Sequence, residues 1–150
     1  MYSVEEFDEL KIKMMHYITY KKRTKQEIKQ KFSEFDGQIL EDAIEYFEEA
    51  GYIDDKTYIN KSINEFMRLK NLSLKEVQYK LLSKGIGKNE IEDYFSQDIE
   101  NLNNYEVQSA KNILIKKVHL MELDEIQEYL YKKGYLEENI KTALNELENM

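Results

Sequence analysis

The sequence predicts an all-α protein of three tandem three-helix repeats in an elongated, curved array, and three observations predict it. A unit of helix, glycine turn and helix recurs with a spacing of 49 residues along the chain. Proline is absent and glycine occurs only five times in 150 residues, so nothing outside the turns interrupts helix. Apolar residues recur at three- and four-residue intervals, the spacing of one helical face.

The clearest copy runs from Ser73 to Phe95. Leu74, Val77 and Leu81 form one stripe, Lys84-Gly85-Ile86 marks a turn, and Ile91, Tyr94 and Phe95 continue the stripe beyond it. A shift of 49 residues lays Leu123, Ile126 and Leu130 on the first helix, Lys133-Gly134-Tyr135 on the turn, and Ile140, Ala143 and Leu144 on the second helix. The opposite shift gives Thr24, Glu27, Ile28 and Phe32. There the turn is shorter, and Leu40, Ala43, Ile44 and Phe47 follow at a shift of 51, with Asp36 as their helix cap. Each unit is too small to bury its stripe alone, so stacking must cover it. The repeats are expected at residues 1–52, 53–100 and 101–150.

Taken in order, Ser3 with Glu6 opens a first helix through Phe7, Leu10, Met14, Tyr17 and Ile18, ending near Lys21 to Arg23 with its cations against the helix dipole. Thr24 with Glu27 caps a second, ending near Phe35, and the third runs from Gly37 to Ala50. Gly51 closes it in a left-handed conformation while Tyr52 and Ile53 fold back. Asp54 or Asp55 caps the next helix, which carries Tyr58, Ile59, Ile63, Phe66 and Met67. Ser73 with Glu76 is a further capping box, placing the following helix start at Leu74. Ile99 to Asn104 reads as a connector, with Asn103 and Glu106 at cap spacing for a helix of Val107, Ala110, Ile113, Leu114 and Val118. The last two helices span Leu123 to Lys133 and Leu136 to Asn149.

Composition excludes several classes. Without cysteine there is no disulfide framework or thiolate metal site, and no apolar run reaches the roughly 18 residues of a membrane span. Met1 to Leu10 is acidic where a secretory leader is basic and then apolar, so a cytoplasmic protein is expected. The net charge of -8 opposes nucleic acid binding, yet its distribution is segmental. From Lys11 to Lys31 eight Lys and Arg face only Glu27, and from Ile59 to Lys88 seven face two acids. From Phe32 to Tyr58 nine acids face only Lys56.

No catalytic constellation survives. His16 and His119 fall at unrelated positions outside any zinc spacing, and Asp54 and Asp55 read better as a helix cap than as a metal or acid–base pair. Gly85 and Gly87 are turn glycines with no preceding strand, so no phosphate loop is present. No metal and no cofactor are called for. What remains is a binding signal: Tyr17 and Tyr20 beside Lys21, Lys22, Arg23 and Lys25, echoed at Tyr79-Lys80 and Tyr131-Lys132-Lys133. The tyrosines read as core residues with surface hydroxyls, while the cations read as contacts, since a local +7 is more than solubility needs in an acidic protein. The cations expected to bind are Lys21, Lys22, Arg23, Lys25 and Lys29 first, then Arg68, Lys70, Lys75 and Lys84, and last Lys116, Lys117, Lys132 and Lys133.

Gly51-Tyr52-Ile53-Asp54-Asp55 followed by Tyr58-Ile59, then Leu81-x-x-Lys84-Gly85-Ile86, resembles the RecX family of bacterial recombinase regulators over almost the whole chain. The resemblance implies a cytosolic, non-enzymatic monomer that binds the RecA recombinase filament. Such a protein restrains the filament's growth, its ATP hydrolysis and strand exchange, and meets single-stranded or duplex DNA weakly or through the filament. It also implies that Gly51, Tyr52, Asp54, Asp55, Gly85 and Gly134 are structural. Tyr58-Ile59 stands where the family's usual sequence is Phe-Ala, and Ser73 where a glycine is often seen. A helical DNA-binding protein acting without the recombinase is the alternative, because basic helix-turn-helix units fit a major groove.

Overall fold

The computed structural model describes residues 1–35 and 37–149, so the expected cap Asp36 lies outside the described residues. These residues form an all-α fold: α1 (Val4–Tyr20), α2 (Lys25–Lys31), α3 (Gly37–Glu49), α4 (Asp55–Met67), α5 (Leu74–Ser83), α6 (Lys88–Gln97), α7 (Ile99–Lys117), α8 (Leu123–Lys133) and α9 (Glu137–Glu148). They group into two compact units, Met1–Lys61 with Lys84–Ile86, and Ser62–Ser83 with the chain from Gly87 onward.

In the first unit, Leu10, Met14 and Ile18 of α1 pack with Ile28, Phe32 and the α3 stripe Ile39, Leu40, Ala43, Ile44 and Phe47. The Ser3 hydroxyl accepts from the Glu6 amide at 3.1 Å, and α1 starts at Val4 as its cap predicts. It ends at Tyr20, so Lys21 to Arg23 lie just beyond the helix rather than in its last turn. Thr24 and Glu27 complete the capping box of α2. That helix stops at Lys31, four residues short of expectation. The Phe35 amide bonds the Phe32 carbonyl at 3.1 Å in a tighter turn, and both rings reach the core with centroids 6.1 Å apart.

Gly51 closes α3 at φ +83°. The Tyr52 and Gly51 amides donate to the Phe47 and Glu48 carbonyls at 2.8 and 3.0 Å, the crossed pair of a left-handed helix stop. Ile53 is buried beneath it, whereas Tyr52 stays exposed with its ring edge-on to Phe47. The cap of α4 is Asp54, whose Oδ1 accepts from the Thr57 amide at 3.2 Å. Asp55 instead accepts from the Lys25 amide at the start of α2, at 3.3 Å. The Thr24 hydroxyl donates to the Lys84 carbonyl at 3.0 Å, and Gly85, at φ +85°, lies so close that a Cβ there would stand 2.7 Å from Gln26 Cβ.

The second unit repeats these contacts 49 residues on. The Ser73 hydroxyl donates to the Lys133 carbonyl at 3.0 Å, and a Cβ on Gly134, at φ +107°, would stand 2.8 Å from Lys75 Cβ. Ser73 and Glu76 close their capping box at 3.1 and 2.9 Å, and Leu74, Val77 and Leu81 are buried as their spacing predicts. Ala110, Ile113, Leu114, Ile126, Leu130, Tyr135, Ile140 and Ala143 form a core. Leu123 departs from its counterpart Leu74: it is 43% exposed.

The expected connector at Ile99 to Asn104 is helix. α7 runs unbroken through it, and the break falls at Asp98. Buried Leu102 and Tyr105 extend the stripe into Ser109 and Ile113, and that burial overrides the weak helix preference of the three asparagines. Glu106 is therefore no cap for its own helix. Fully buried, it accepts from the Leu74 amide at 2.6 Å, the Leu136 amide at 2.8 Å and Asn139 Nδ2 at 2.9 Å. It starts α5 from a distance, as Asp55 does for α2.

Candidate functional site

In the first unit the end of α1 and the turn after it present Tyr20, 86% exposed, followed by exposed Lys21 and Lys22. Arg23 is held inward: its guanidinium lies 4.0 Å from the Tyr17 ring centroid, and its Nε donates to the Tyr17 carbonyl at 3.5 Å. Lys25 is half-buried and paired with Glu48 at 2.7 Å, while Lys29 is exposed on α2. Lys84 donates to the buried Tyr58 hydroxyl at 3.3 Å.

In the second unit Arg68, Lys70 and Lys75 are exposed. Lys70 adopts φ +50°, a left-handed conformation that costs a residue with a Cβ about 1 kcal/mol. Its loop is tied down to compensate. Asn112 Nδ2 donates to the Lys70 carbonyl at 3.1 Å and Lys133 Nζ to that of Asn71 at 3.0 Å. The Tyr105 and Ser109 hydroxyls both donate to the Leu72 carbonyl, at 2.8 and 3.0 Å. Lys133 also reaches Glu76 at 3.2 Å. Lys116 is exposed, Lys117 stands over the Tyr129 ring at 4.5 Å, and exposed Lys132 pairs with Glu128 one turn away at 3.1 Å. The turn lysines Lys84 and Lys133 thus serve internal packing, whereas Lys21, Lys22, Lys29, Arg68, Lys70, Lys75 and Lys116 face solvent.

Tyr20, Tyr79 and Tyr131 are not core residues as expected but are 86%, 61% and 67% exposed. Tyr17 fits the expectation in part, half-buried and edge-on to Phe32. Leu69 and Leu120, 69% and 79% exposed, were not singled out by sequence reasoning. The shift of 49 that aligns the repeats carries Tyr20 onto Leu69, and that was the available signal.

Among the described residues the ionisable groups with shifted pKa values include a helix cap and buried hydroxyls. Hydrogen bonds from the Thr57 hydroxyl and amide hold the Asp54 carboxyl below the usual carboxylate range, as suits a cap. Burial pushes the Tyr105 and Tyr135 hydroxyls up, against the Ser109 hydrogen bonds. His16 and His119 are exposed. Among the described residues no group of three or more His, Cys, Asp or Glu is placed to hold a metal ion, and no helix is long and apolar enough to cross a membrane.

No family model matches the chain. It is similar to the regulatory protein RecX of Staphylococcus carnosus, 28% identical over 139 residues that cover 89% of this chain and 52% of that one. With the regulatory protein RecX of Clostridium botulinum strain Alaska E43 it shares 30% identity over 125 residues, 77% of this chain and 56% of the relative. The chain thus spans about half the length of these relatives. The crystal structure of RecX from Lactobacillus salivarius superposes with a TM-score of 0.83 at 20% identity, covering 99% of this chain and 100% of that one. A second crystal structure, of a regulatory protein RecX, gives 0.76 at 20% identity over 93% and 73%. At that identity the structural likeness establishes the fold.

Proposed function

The chain belongs to the RecX family, and from that premise we propose that it regulates the RecA recombinase by binding the RecA–DNA filament and restraining filament growth, ATP hydrolysis and strand exchange. It does so without a cofactor, as a cytoplasmic, non-enzymatic monomer whose three-helix units, residues 1–52, 53–100 and 101–150, contact the filament in turn. Repetition suits such a target, because individually weak contacts to a polymer of identical subunits sum to useful avidity.

The observation that carries the reading is the set of solvent-facing cations in a protein of net charge -8. Lys21, Lys22, Lys29, Arg68, Lys70, Lys75 and Lys116 are the first contacts on this reading, and acidic α3 meets basic recombinase surfaces. Arg23, Lys25, Lys84, Lys117, Lys132 and Lys133 contribute beside their internal partners. The exposed Tyr20-Lys21-Lys22 segment also favours the second reading, direct DNA binding without the recombinase.

Single-strand-dependent ATP hydrolysis by the cognate recombinase, titrated with this protein, separates the two. Loss of hydrolysis at substoichiometric protein, with poor binding to naked DNA, is the expected result. No effect at equimolar protein, together with tight and steeply salt-dependent binding to naked duplex, would leave the direct DNA binder.

A further inference from the structure

Exposed large apolar side chains occur along both units, and three of them share a place in the repeat. Three prominent ones stand at or just beyond the C-terminal end of a helix: Tyr20 as the last residue of α1, Leu69 after α4 and Leu120 after α7, at 86%, 69% and 79% exposure. Tyr20 and Leu69 are 49 residues apart, the spacing of the repeated contacts. The same step reaches Val118, 50% exposed, with Leu120 two residues on as the more prominent side chain. Each lies beside cations: Lys21 and Lys22, Arg68 and Lys70, Lys116 and Lys117.

The loops are also held in shape. Side chains donate to three consecutive carbonyls, those of Lys70, Asn71 and Leu72, and fix the loop that carries Leu69. The Leu120 and Met121 amides both bond the Lys117 carbonyl, at 2.9 and 3.0 Å, and Met121 packs on the core beneath. Arg23, clamped on Tyr17, ends the loop that follows Tyr20. A solvated apolar side chain on a fixed loop costs hydration and returns no folding energy, whereas a prepaid loop conformation lowers the cost of binding.

We propose that Tyr20 on the first unit, and Leu69 and Leu120 on the second, are anchor residues, each by itself entering an apolar pocket rimmed with acidic groups on a protein partner. The chemistry selects protein over nucleic acid: stacking on bases needs aromatic faces, and two of the three anchors are leucines. The neighbouring cations select acidic rims and steer the encounter, while burial of the anchors supplies affinity. A polymer of identical subunits offers such a pocket repeatedly. This rests on the reading of the recombinase filament as partner.

The test is binding of fluorescently labelled full-length protein to cognate recombinase assembled on single-stranded DNA, beside the same DNA naked. It compares Tyr20→Ala, Leu69→Ala, Leu120→Ala and the triple variant, with helicity and thermal unfolding measured on each. All three side chains are exposed, so folding is expected to be unchanged. Each substitution is expected to weaken filament binding about tenfold, and the triple variant to abolish it, with the salt dependence of the single variants unaltered. Filament binding by the triple variant equal to that of the unaltered protein would overturn this inference alone. So would weakening confined to Tyr20→Ala and matched on naked DNA, which would make that loop a base-stacking site. No filament binding by the unaltered protein would overturn the regulator reading and this inference together.

Discussion

In the second unit the buried carboxylate of Glu106 holds the backbone at the starts of two helices. Glu106 accepts three hydrogen bonds, two of them from amides at the starts of helical segments that have no partner in their own helix. Glu106→Leu strands all three donors and is expected to cost about 3 kcal/mol or more. Glu106→Gln, which keeps one acceptor oxygen, should cost distinctly less. Urea unfolding midpoints check the order, and equal losses in the two variants would refute the acceptor role. Tyr135 is a second such residue, fully buried with its hydroxyl paired to that of Ser109. Burial raises its folded pKa above the ordinary tyrosine value of about 10, so its contribution to stability is complete below that pH and is lost as pH rises through the folded value. Tyr135→Phe should therefore flatten the alkaline limb of the stability curve above about pH 10 while leaving the acid limb in place. An unchanged alkaline limb would assign that limb to other groups.

At the scale of elements, helix starts are set by side chains both near and far. Asp54 caps α4 from the adjacent position, and its carboxyl is held below the usual range, so this contribution is present above the unfolded pKa and is lost as pH falls through the folded one. Asp54→Ala should cost about 1 kcal/mol at neutral pH, whereas Asp54→Asn should keep most of the cap and weaken the acid limb. Chemical denaturation of both variants at pH 7 and at pH 3 tests this. The starts of α2 and α5 have their own capping boxes and are held from a distance as well, through Asp55 and Glu106, while their cap hydroxyls also donate to the carbonyls of Lys84 and Lys133. Gly85 and Gly134 complete these contacts because no Cβ fits there. Gly134→Ala combines a strained φ with a clash against Lys75 Cβ and should lower the thermal midpoint by several degrees, roughly what 1–2 kcal/mol produces in a domain of this size. Gly51→Ala carries the φ strain without the clash, since nothing lies within 4 Å of its Cβ position, and should lower it less.

For the whole molecule, the segregation of charge matters more than its sum. An acidic protein gains nothing from bulk attraction to DNA, so on the proposed reading filament binding rests on local contacts. Reversing Lys21, Lys22 and Arg23 to Glu is expected to weaken filament binding roughly tenfold at low salt and to reduce the salt dependence, while thermal stability changes little for the two exposed lysines. Unchanged binding by that variant would remove the basic segment from the mechanism.

Which elements exist was determined by the sequence alone, because capping boxes, turn glycines and apolar stripes act over three to seven residues. Ser73 with Glu76, Gly51, Gly134 and the stripe Leu74, Val77 and Leu81 all stand as their spacing predicts. Where a local signal competed with burial, only the tertiary structure decided. The asparagines around Leu102 read as a connector, yet burial of Leu102 and Tyr105 drew them into α7. Glu106 read as a cap for its own helix and serves two others, 32 and 30 residues away. The candidate surface divided in the same way. The basic segments were legible as charge, but which lysines face solvent depended on partners distant in the chain, as Lys84 on Tyr58 and Lys133 on Asn71 show. Exposure of Tyr20, Leu69 and Leu120 was hidden for the same reason, since apolar spacing names a helix face without saying whether another element covers it.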